Sequence, residues 1–453
     1  MRIVLLSGGS GKRLWPISND ARSKQFLKVL KNEDKKRESM IQRVWEQLKC
    51  AKLEGISYIA TNKAQVEMIQ NQLGTETNLI VEPERRDTFP AIALAVTYLY
   101  SVEKVSKDEV IVVIPVDPYV EQGFFEKLKE LEQVILSNEA DLALIGVNPI
   151  YPSEKYGYIV PDVNGLINNR CSVSHFREKP TQDQALKLIG MGALWNCGVF
   201  AFKLDKIISI LRDKNYLINY EDLLHEYASM PKISFDYEVL EKSENIIALS
   251  YNGYWKDLGT WNTLTEEMTE PLLGKGVISG DSVDVHVINE LDIPVVVLGL
   301  SNIIVAASPD GILVSEINAS PRVKDIAEFG LIPMYEERRW GYYRILDYAK
   351  TPGEREVITK KVVVKADKNL SYHFHYNRNE IWTILSGKGE FVLNDKLSSI
   401  YAGQVVEIPA GSKHGIRAIT DLEFIEVQYG NEIIEEDINR IFLSWDELMK
   451  HIL

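Results

Sequence analysis

The sequence predicts an α/β protein in three parts: a mostly parallel sheet covered by helices, a small β-rich connector, and a C-terminal all-β barrel. Three observations predict it. Over the first 150 or so residues short apolar runs alternate with stretches of helical spacing. A segment rich in Val, Ile, Gly and Asp begins at Gly274, and many short β runs with turn signals follow Pro333. A chain of 453 residues also exceeds what one hydrophobic core usually organises. The expected divisions are residues 1–270, 271–330 and 331–453.

In the first part, Ile3–Leu6, Ile56–Ala60, Leu79–Val81, Val110–Ile114 and Leu142–Val147 read as buried strands. Met40–Leu53, Lys63–Leu73, Thr88–Val105 and Phe124–Leu136 have helical spacing between them. Such alternation gives a parallel sheet covered on both faces, whose ligands bind beyond the C-terminal strand ends. The glycine loop Ser7–Gly11 follows the first strand at such an end. From Tyr151 to about Met268 the pattern is less regular and reads as insertions building a second wall of the same site. The connector is either β-helical or sandwich-like, and no clean hexapeptide repeat decides between them. The runs REVITKKVVVK, EIWTILSGKGEFVL, QVVEIPAG and EFIEVQYG describe an antiparallel barrel or jelly roll. A last helical piece carries Trp445, Leu448 and Ile452.

The composition is that of a soluble globular protein, 45% hydrophobic and 26% charged. A net charge of -14 argues against a general nucleic-acid binder, which would show a basic face, but leaves room for a small anionic substrate. Cys50, Cys171 and Cys197 form no CxxC pair, so neither a disulfide framework nor a thiolate metal site is indicated. The opening MRIVLLSGGS is too short and too quickly polar for a signal peptide, and no apolar run reaches membrane-spanning length. A cytoplasmic protein without nucleic-acid or membrane partners is expected. Its oligomeric state, homodimer included, is left open.

The segment LLSGGSGKRLWPISNDARSKQFLKV concentrates the chemistry. Gly8, Gly9 and Gly11 let the backbone turn sharply and lay N–H groups against an anion with no Cβ in the way. Arg13 and Lys24 add positive charge where a pyrophosphate would lie, and attack on an α-phosphorus favours fixed cations over covalent chemistry. It is not a Walker A loop, since Lys12 is followed by Arg13, and GxGxxG is absent. A glycine turn without a ligand is the bland alternative for GGSG alone. Arg13, Trp15, Pro16, Lys24 and Gln25 at these offsets weigh against it.

GGSGKRLWP followed by SKQF resembles the signature of bacterial mannose-1-phosphate guanylyltransferases, a branch of the nucleoside-diphosphate-sugar pyrophosphorylases. VEPERRDTFPAIALA is similar to that family's nucleotide-side segment, with Glu82, Pro83, Arg86, Thr88 and Pro90 matching. In PVDPYVE, Asp117 matches while Pro118 replaces a His. YGYI, FREKP, WNCGVF, FDYEVLEK and YWKDLGTW follow in the family's order. Ser23 stands in place of a Pro, Asp87 in place of a common Asn, and Lys256 where a smaller residue often precedes the Asp.

The resemblance implies a Rossmann-like nucleotidyltransferase sheet that transfers GMP from GTP to α-D-mannose 1-phosphate, giving GDP-mannose and pyrophosphate. It implies catalytic roles for Arg13, Lys24 and Asp257, and nucleotide contacts from Leu6, Gly8, Gly9, Gly11, Glu82, Arg86, Thr88 and Asp117. Gly157, Glu178, Lys179, Asn196 and Gly198 would bind the sugar phosphate, and Asp117 with Asp257 would hold Mg²⁺. The bland readings are a turn residue before Pro118, a turn cap at Asp257 and a solvated Glu178–Lys179 pair. Cys197 reads as packing rather than as a nucleophile. Another nucleotide or hexose 1-phosphate is the enzymatic alternative. A non-catalytic sugar-nucleotide sensor is the rival of a different class, and the intact Arg13, Lys24 and Asp257 weigh against it.

In the barrel, HFHYNRNE puts His373 and His375 two apart, Glu380 follows a turn, and IPAGSKHGI supplies His414. Three imidazoles and a carboxylate suit Zn²⁺, Fe²⁺, Mn²⁺ or Ni²⁺. The grouping resembles the cupin domain of bifunctional enzymes that also interconvert mannose 6-phosphate and fructose 6-phosphate. Arg378, Glu380 and Trp382 match its motif, while His373 replaces a Gln and Ile381 a His. Loss of that His beside the metal predicts metal binding with weak or absent isomerase activity.

Overall fold

Nine strands make the largest sheet: β1 (Arg2–Ser7), β2 (Ser57–Asn62), β3 (Leu79–Glu82), β4 (Val110–Pro115), β5 (Leu142–Val147), β6 (Tyr158–Pro161), β7 (Arg170–Arg177), β8 (Leu194–Lys203) and β9 (Ile246–Tyr251). Their order is β3-β2-β1-β4-β8-β5-β9-β7-β6. The computed structural model describes every residue except 10, 20–21, 163–164, 327–331, 351–354, 435–436 and 453.

The strands β3, β2, β1 and β4 pair in parallel, as the alternating pattern requires. Beyond β4 the sheet is mixed rather than mostly parallel. β8 inserts antiparallel between β4 and β5, and β7 and β6 add antiparallel at the far edge. The less regular segment after Tyr151 therefore extends the same sheet. Helices still separate some of its strands, Gln182–Gly190 before β8 and Leu204–Asp213 before β9, but the antiparallel strands β6, β7 and β8 break the regular strand–helix alternation.

β1 shows why the fold forms. Ile3 and Leu5 face one core with α1 (Met40–Cys50), α2 (Val66–Leu73) and α4 (Phe124–Leu136), whereas Val4 faces the other with α3 (Thr88–Ser101). Ser39 caps α1: its Oγ accepts from the Gln42 amide while the Gln42 side chain accepts from the Ser39 amide. α1 and α3 stop earlier than their apolar spacing predicts, and Lys52 and Lys104 beyond them take positive φ of 59° and 56°.

The connector is β-helical. Leu272–Leu273, Val283–Asn289 and Ser301–Ser308 stack in parallel, Gly276–Ile278 pairs in parallel with Val295–Val297, and Gly311–Glu316 closes the stack antiparallel. Its apolar side chains Leu273, Ile288 and Ile304 share one core with Leu14, Leu27, Leu258 and Trp261. It thus supports both the glycine loop and the turn carrying Asp257.

After residue 334 two antiparallel sheets of six and five strands face each other around Trp382, Ile416 and Phe424. The final helix, Trp445–Ile452, buries Trp445 and Leu448 against Tyr372 and Val392. The barrel docks on α2, where Asn71 Nδ2 donates to the Arg338 carbonyl at 2.6 Å, and on the connector, where the Met334 amide donates to Asp310 at 2.6 Å. No helix among the described residues is long and apolar enough to cross a membrane.

Candidate functional site

A cleft of about 330 Å³ opens at the C-terminal ends of β1 and β4. Leu6, Gly8, Gly9, Glu82, Arg86, Thr88, Asp117 and Gly198 line it. A Cβ on Gly8 or Gly9 would meet nothing closer than 4.0 or 3.8 Å, so this backbone faces open space that a ligand can fill. Gly11 begins a 3₁₀ turn, Gly11–Leu14, that carries the exposed Arg13, and Ser10 lies outside the described residues.

The loop is held from beneath by a buried polar network. Ser23 Oγ donates to the Gly9 carbonyl at 2.7 Å and accepts from Gln65 Nε2 at 2.7 Å. Ser7 and Thr61 donate to Gln65 Oε1, and Gln25 donates to Ser7. Ser23, the departure from the family's Pro, is thus a working part of the loop's support.

At the Asp117 end three charges converge. Lys24 Nζ lies 2.6 Å from Asp117 and 3.0 Å from Asp257. The strand Trp255–Asp257 pairs antiparallel with Pro118–Val120, Asp257 opposite Pro118, which brings together carboxylates 140 positions apart (257 − 117). Burial opposes the charge of Lys24, but the two carboxylates outweigh it and raise its pKa. Burial likewise opposes the charge of Asp257, and Lys24, with a smaller contribution from Arg13, holds it below the usual carboxylate range. Two carboxylates around one cation are the donor set that a hard divalent ion uses. Lys256 points away and pairs with Glu266 and Glu267 at 2.5 and 2.7 Å, so its size does not crowd the Asp.

On the opposite wall Asn196 Nδ2 donates to Asp236 at 2.8 Å, and Asn196 Oδ1 accepts from the Gly198 amide. Burial, helped by the charge of Glu178, pushes Asp236 up to about 7. A Cβ on Gly157 would come within 2.4 Å of Phe176 and 2.5 Å of Glu178, so a larger residue there would displace both side chains. Lys179 is exposed and paired with Glu178 at 2.7 Å. Glu82 accepts from the buried Tyr227 hydroxyl at 2.6 Å, and Arg86 donates to the Met230 carbonyl. Thr88 Oγ1 accepts from the Phe235 amide, which ties the Asp236 segment to the start of α3. Cys197 is buried and its thiol is pushed up to about 12 by that burial, so it is not a nucleophile.

The barrel holds a second site. The ring nitrogens of His373, His375 and His414 lie within 4.8 Å of one another, all buried. Glu380 reaches His375 at 3.2 Å and His414 at 3.4 Å. Each outer Nδ1 faces a backbone carbonyl, of Ser371 at 2.8 Å, Asp437 at 2.7 Å and Ser412 at 3.0 Å. A carbonyl only accepts, so each Nδ1 is the donor in these bonds, and each Nε2 is turned inward, where a metal ligand atom would lie. Burial and the neighbouring imidazoles hold His373 well below its ordinary value, hence neutral. Ile381 is not beside this centre. Strand alternation puts Arg378, Glu380 and Trp382 inward and Ile381 on the outer face, so the missing His takes no group away from the metal position.

Two family models match the chain: nucleotidyl transferase over residues 2–272 and mannose-6-phosphate isomerase C-terminal over residues 333–442. The chain is a member of the nucleotidyl transferase family. A mannose-1-phosphate guanylyltransferase of Escherichia coli is 28% identical over 97% of this chain and 98% of its own. The alginate biosynthesis protein AlgA of Pseudomonas putida is 30% identical over 96% and 94%. A solved structure described as mannose-1-phosphate geranyltransferase from Thermus thermophilus is 27% identical, covers 72% of this chain and 99% of its own, and superposes with a TM-score of 0.59.

In this transferase the sequence-predicted residues fall into two groups. Those named for the nucleotide line the cleft, except Gly11. Lys24 and Asp257 meet at its Asp117 end, and Asn196 adjoins it through Asp236. Asp236 and Tyr227 were not picked out from the sequence. Asp236 lies within the quoted FDYEVLEK, but its partner Asn196 is 40 positions away, and nothing local marks the pair.

Proposed function

We propose that the chain transfers GMP from GTP to α-D-mannose 1-phosphate, releasing pyrophosphate. The observation that carries this reading is Lys24 between Asp117 and Asp257 at one end of the glycine-lined cleft. The sugar phosphate oxygen is the attacking nucleophile, so the protein supplies position and charge. The loop amides at Gly8 and Gly9 face the nucleotide phosphates, and Arg13 and Lys24 offset developing negative charge. Asn196, Glu178 and Lys179 take the sugar and its phosphate. Asp117 and Asp257 would hold Mg²⁺, which when bound neutralises phosphate oxygens. Four nucleoside triphosphates tested against several hexose 1-phosphates, with pyrophosphate release as readout, decide the matter. Equal rates with UTP or ATP, or no turnover at all, would overturn it.

For the barrel we propose a transition-metal centre on His373, His375, His414 and Glu380 that takes mannose 6-phosphate and isomerises it to the ketose. The inward ligands and the outward Ile381 favour it. A divalent ion held by His373, His375, His414 and Glu380 would polarise the substrate's oxygens, and the second oxygen of Glu380 can hold a proton. Chelator-sensitive appearance of fructose 6-phosphate is the expected result, and none from a metal-loaded protein overturns it.

A further inference from the structure

The barrel cavity is not made by the barrel alone. Its wall includes Glu67, from the first turn of α2 in the transferase part. Glu67 Oε2 is buried without a hydrogen-bond donor; Arg338 pairs with it at 4.0 Å through Nη1 and with Glu336 at 2.5 Å through Nη2. The Glu67 side chain lines the cavity, and a buried carboxylate oxygen without a donor costs stability unless a ligand reached by a small side-chain shift supplies one. The same cavity carries Arg339 and Arg440, and His375 and Glu380. Burial, together with Arg440, lowers the pKa of Arg339, and Glu67 counters this. Arg339 and Arg440 line the cavity together with Lys360 and Arg378, an excess of positive charge suited to a dianion.

We propose that Glu67 is a specificity residue of the C-terminal site, accepting a hydroxyl of a polyol phosphate whose phosphate group sits toward Arg339 and Arg440. The proposal rests on the reading of this cavity as a phosphosugar site. It makes that site composite, complete only when α2 is docked against the barrel. A site built to bond a hydroxyl discriminates strongly against ligands that lack it, because the buried acceptor is then left unpaired.

Titration calorimetry on the full chain tests this with two probes, mannose 6-phosphate and inorganic phosphate, in wild type, Glu67→Gln and Arg440→Gln. Glu67→Gln is expected to weaken mannose 6-phosphate by about tenfold or more while leaving inorganic phosphate within about threefold, since only the hydroxyl contact is lost. Arg440→Gln should weaken both. Nucleotidyl transfer by Glu67→Gln should be unchanged, which also reports that the variant folds; Glu67→Asp, which keeps the charge but shortens the reach, should share the selective loss. Equal effects of Glu67→Gln on both probes, or none on either, overturn the role of Glu67 and leave the phosphosugar reading standing. Failure of the wild type to bind either probe overturns both.

Discussion

Lys24 is the residue on which the transferase reading turns, because Asp117 and Asp257 both pair with it. Lys24→Met keeps the stem and removes the charge, and is expected to lower kcat by on the order of a hundredfold, as loss of one transition-state stabiliser does. Near-normal kcat/KM in a folded variant would remove it from the mechanism. Asp257→Asn should abolish most Mg²⁺-dependent turnover with the fold intact, since an amide is the poorer ligand for a hard cation; an unchanged Mg²⁺ titration would restore the turn-cap reading. Asp236 gives a test by pH. Its folded pKa of about 7 lies above the ordinary 3.8, so the native state holds a proton that the unfolded chain releases, and stability falls as pH rises between those values. Asp236→Asn removes that loss. Its gain in Tm should be larger at pH 8 than at pH 4, and equal gains would show that the carboxyl is not buried as described.

The elements contribute by bringing distant chemistry into register. The short pairing of Trp255–Asp257 with Pro118–Val120 decides the position of both carboxylates, and the connector core behind it fixes that turn against Leu14 and Leu27. The glycine loop depends on Ser23 in the same way. Ser23→Ala leaves the Gly9 carbonyl and Gln65 Nε2 without partners, at a cost of about 1–3 kcal/mol. A lower Tm together with a raised KM for GTP is the expected outcome, and a loss of Tm with KM unaltered would mean that the network supports the fold but not the loop. The register of the strand Arg378–Ser386 is equally decisive: one alternation puts Glu380 at the imidazoles and Ile381 outside.

At the scale of the molecule, the transferase residues all precede residue 330, so a chain ending there is expected to fold and form nucleotide sugar. Loss of activity on truncation would show that the docking of the barrel on α2, through Asn71 and Gln72, is needed for the cleft. In the full chain, metal analysis should find a divalent transition metal that disappears in His375→Ala plus His414→Ala, because both imidazoles converge on the same point. Wild-type protein free of metal after growth with Zn²⁺, Fe²⁺, Mn²⁺ and Ni²⁺ would end the metal-centre proposal.

The sequence by itself determined the strand–helix rhythm of the first 150 or so residues, the glycine loop at a strand end, and the spacing of His373, His375 and Glu380. These are local signals, in which apolar period, turn chemistry and ligand spacing are written within a few residues of each other. Ordered motifs extended the reading to Asp117 and Asp257, paired on one Mg²⁺, and to Asn196. Only the tertiary structure decided that Lys24 lies between the first two, that Asp236 partners the third, and that β8 breaks the parallel sheet. It alone decided that the connector is a parallel stack, that Ile381 faces outward and that Glu67 reaches the barrel cavity. The physical reason is the same in each case: these relations are set by strand register and by packing between segments up to hundreds of positions apart, and no periodicity within either segment encodes them.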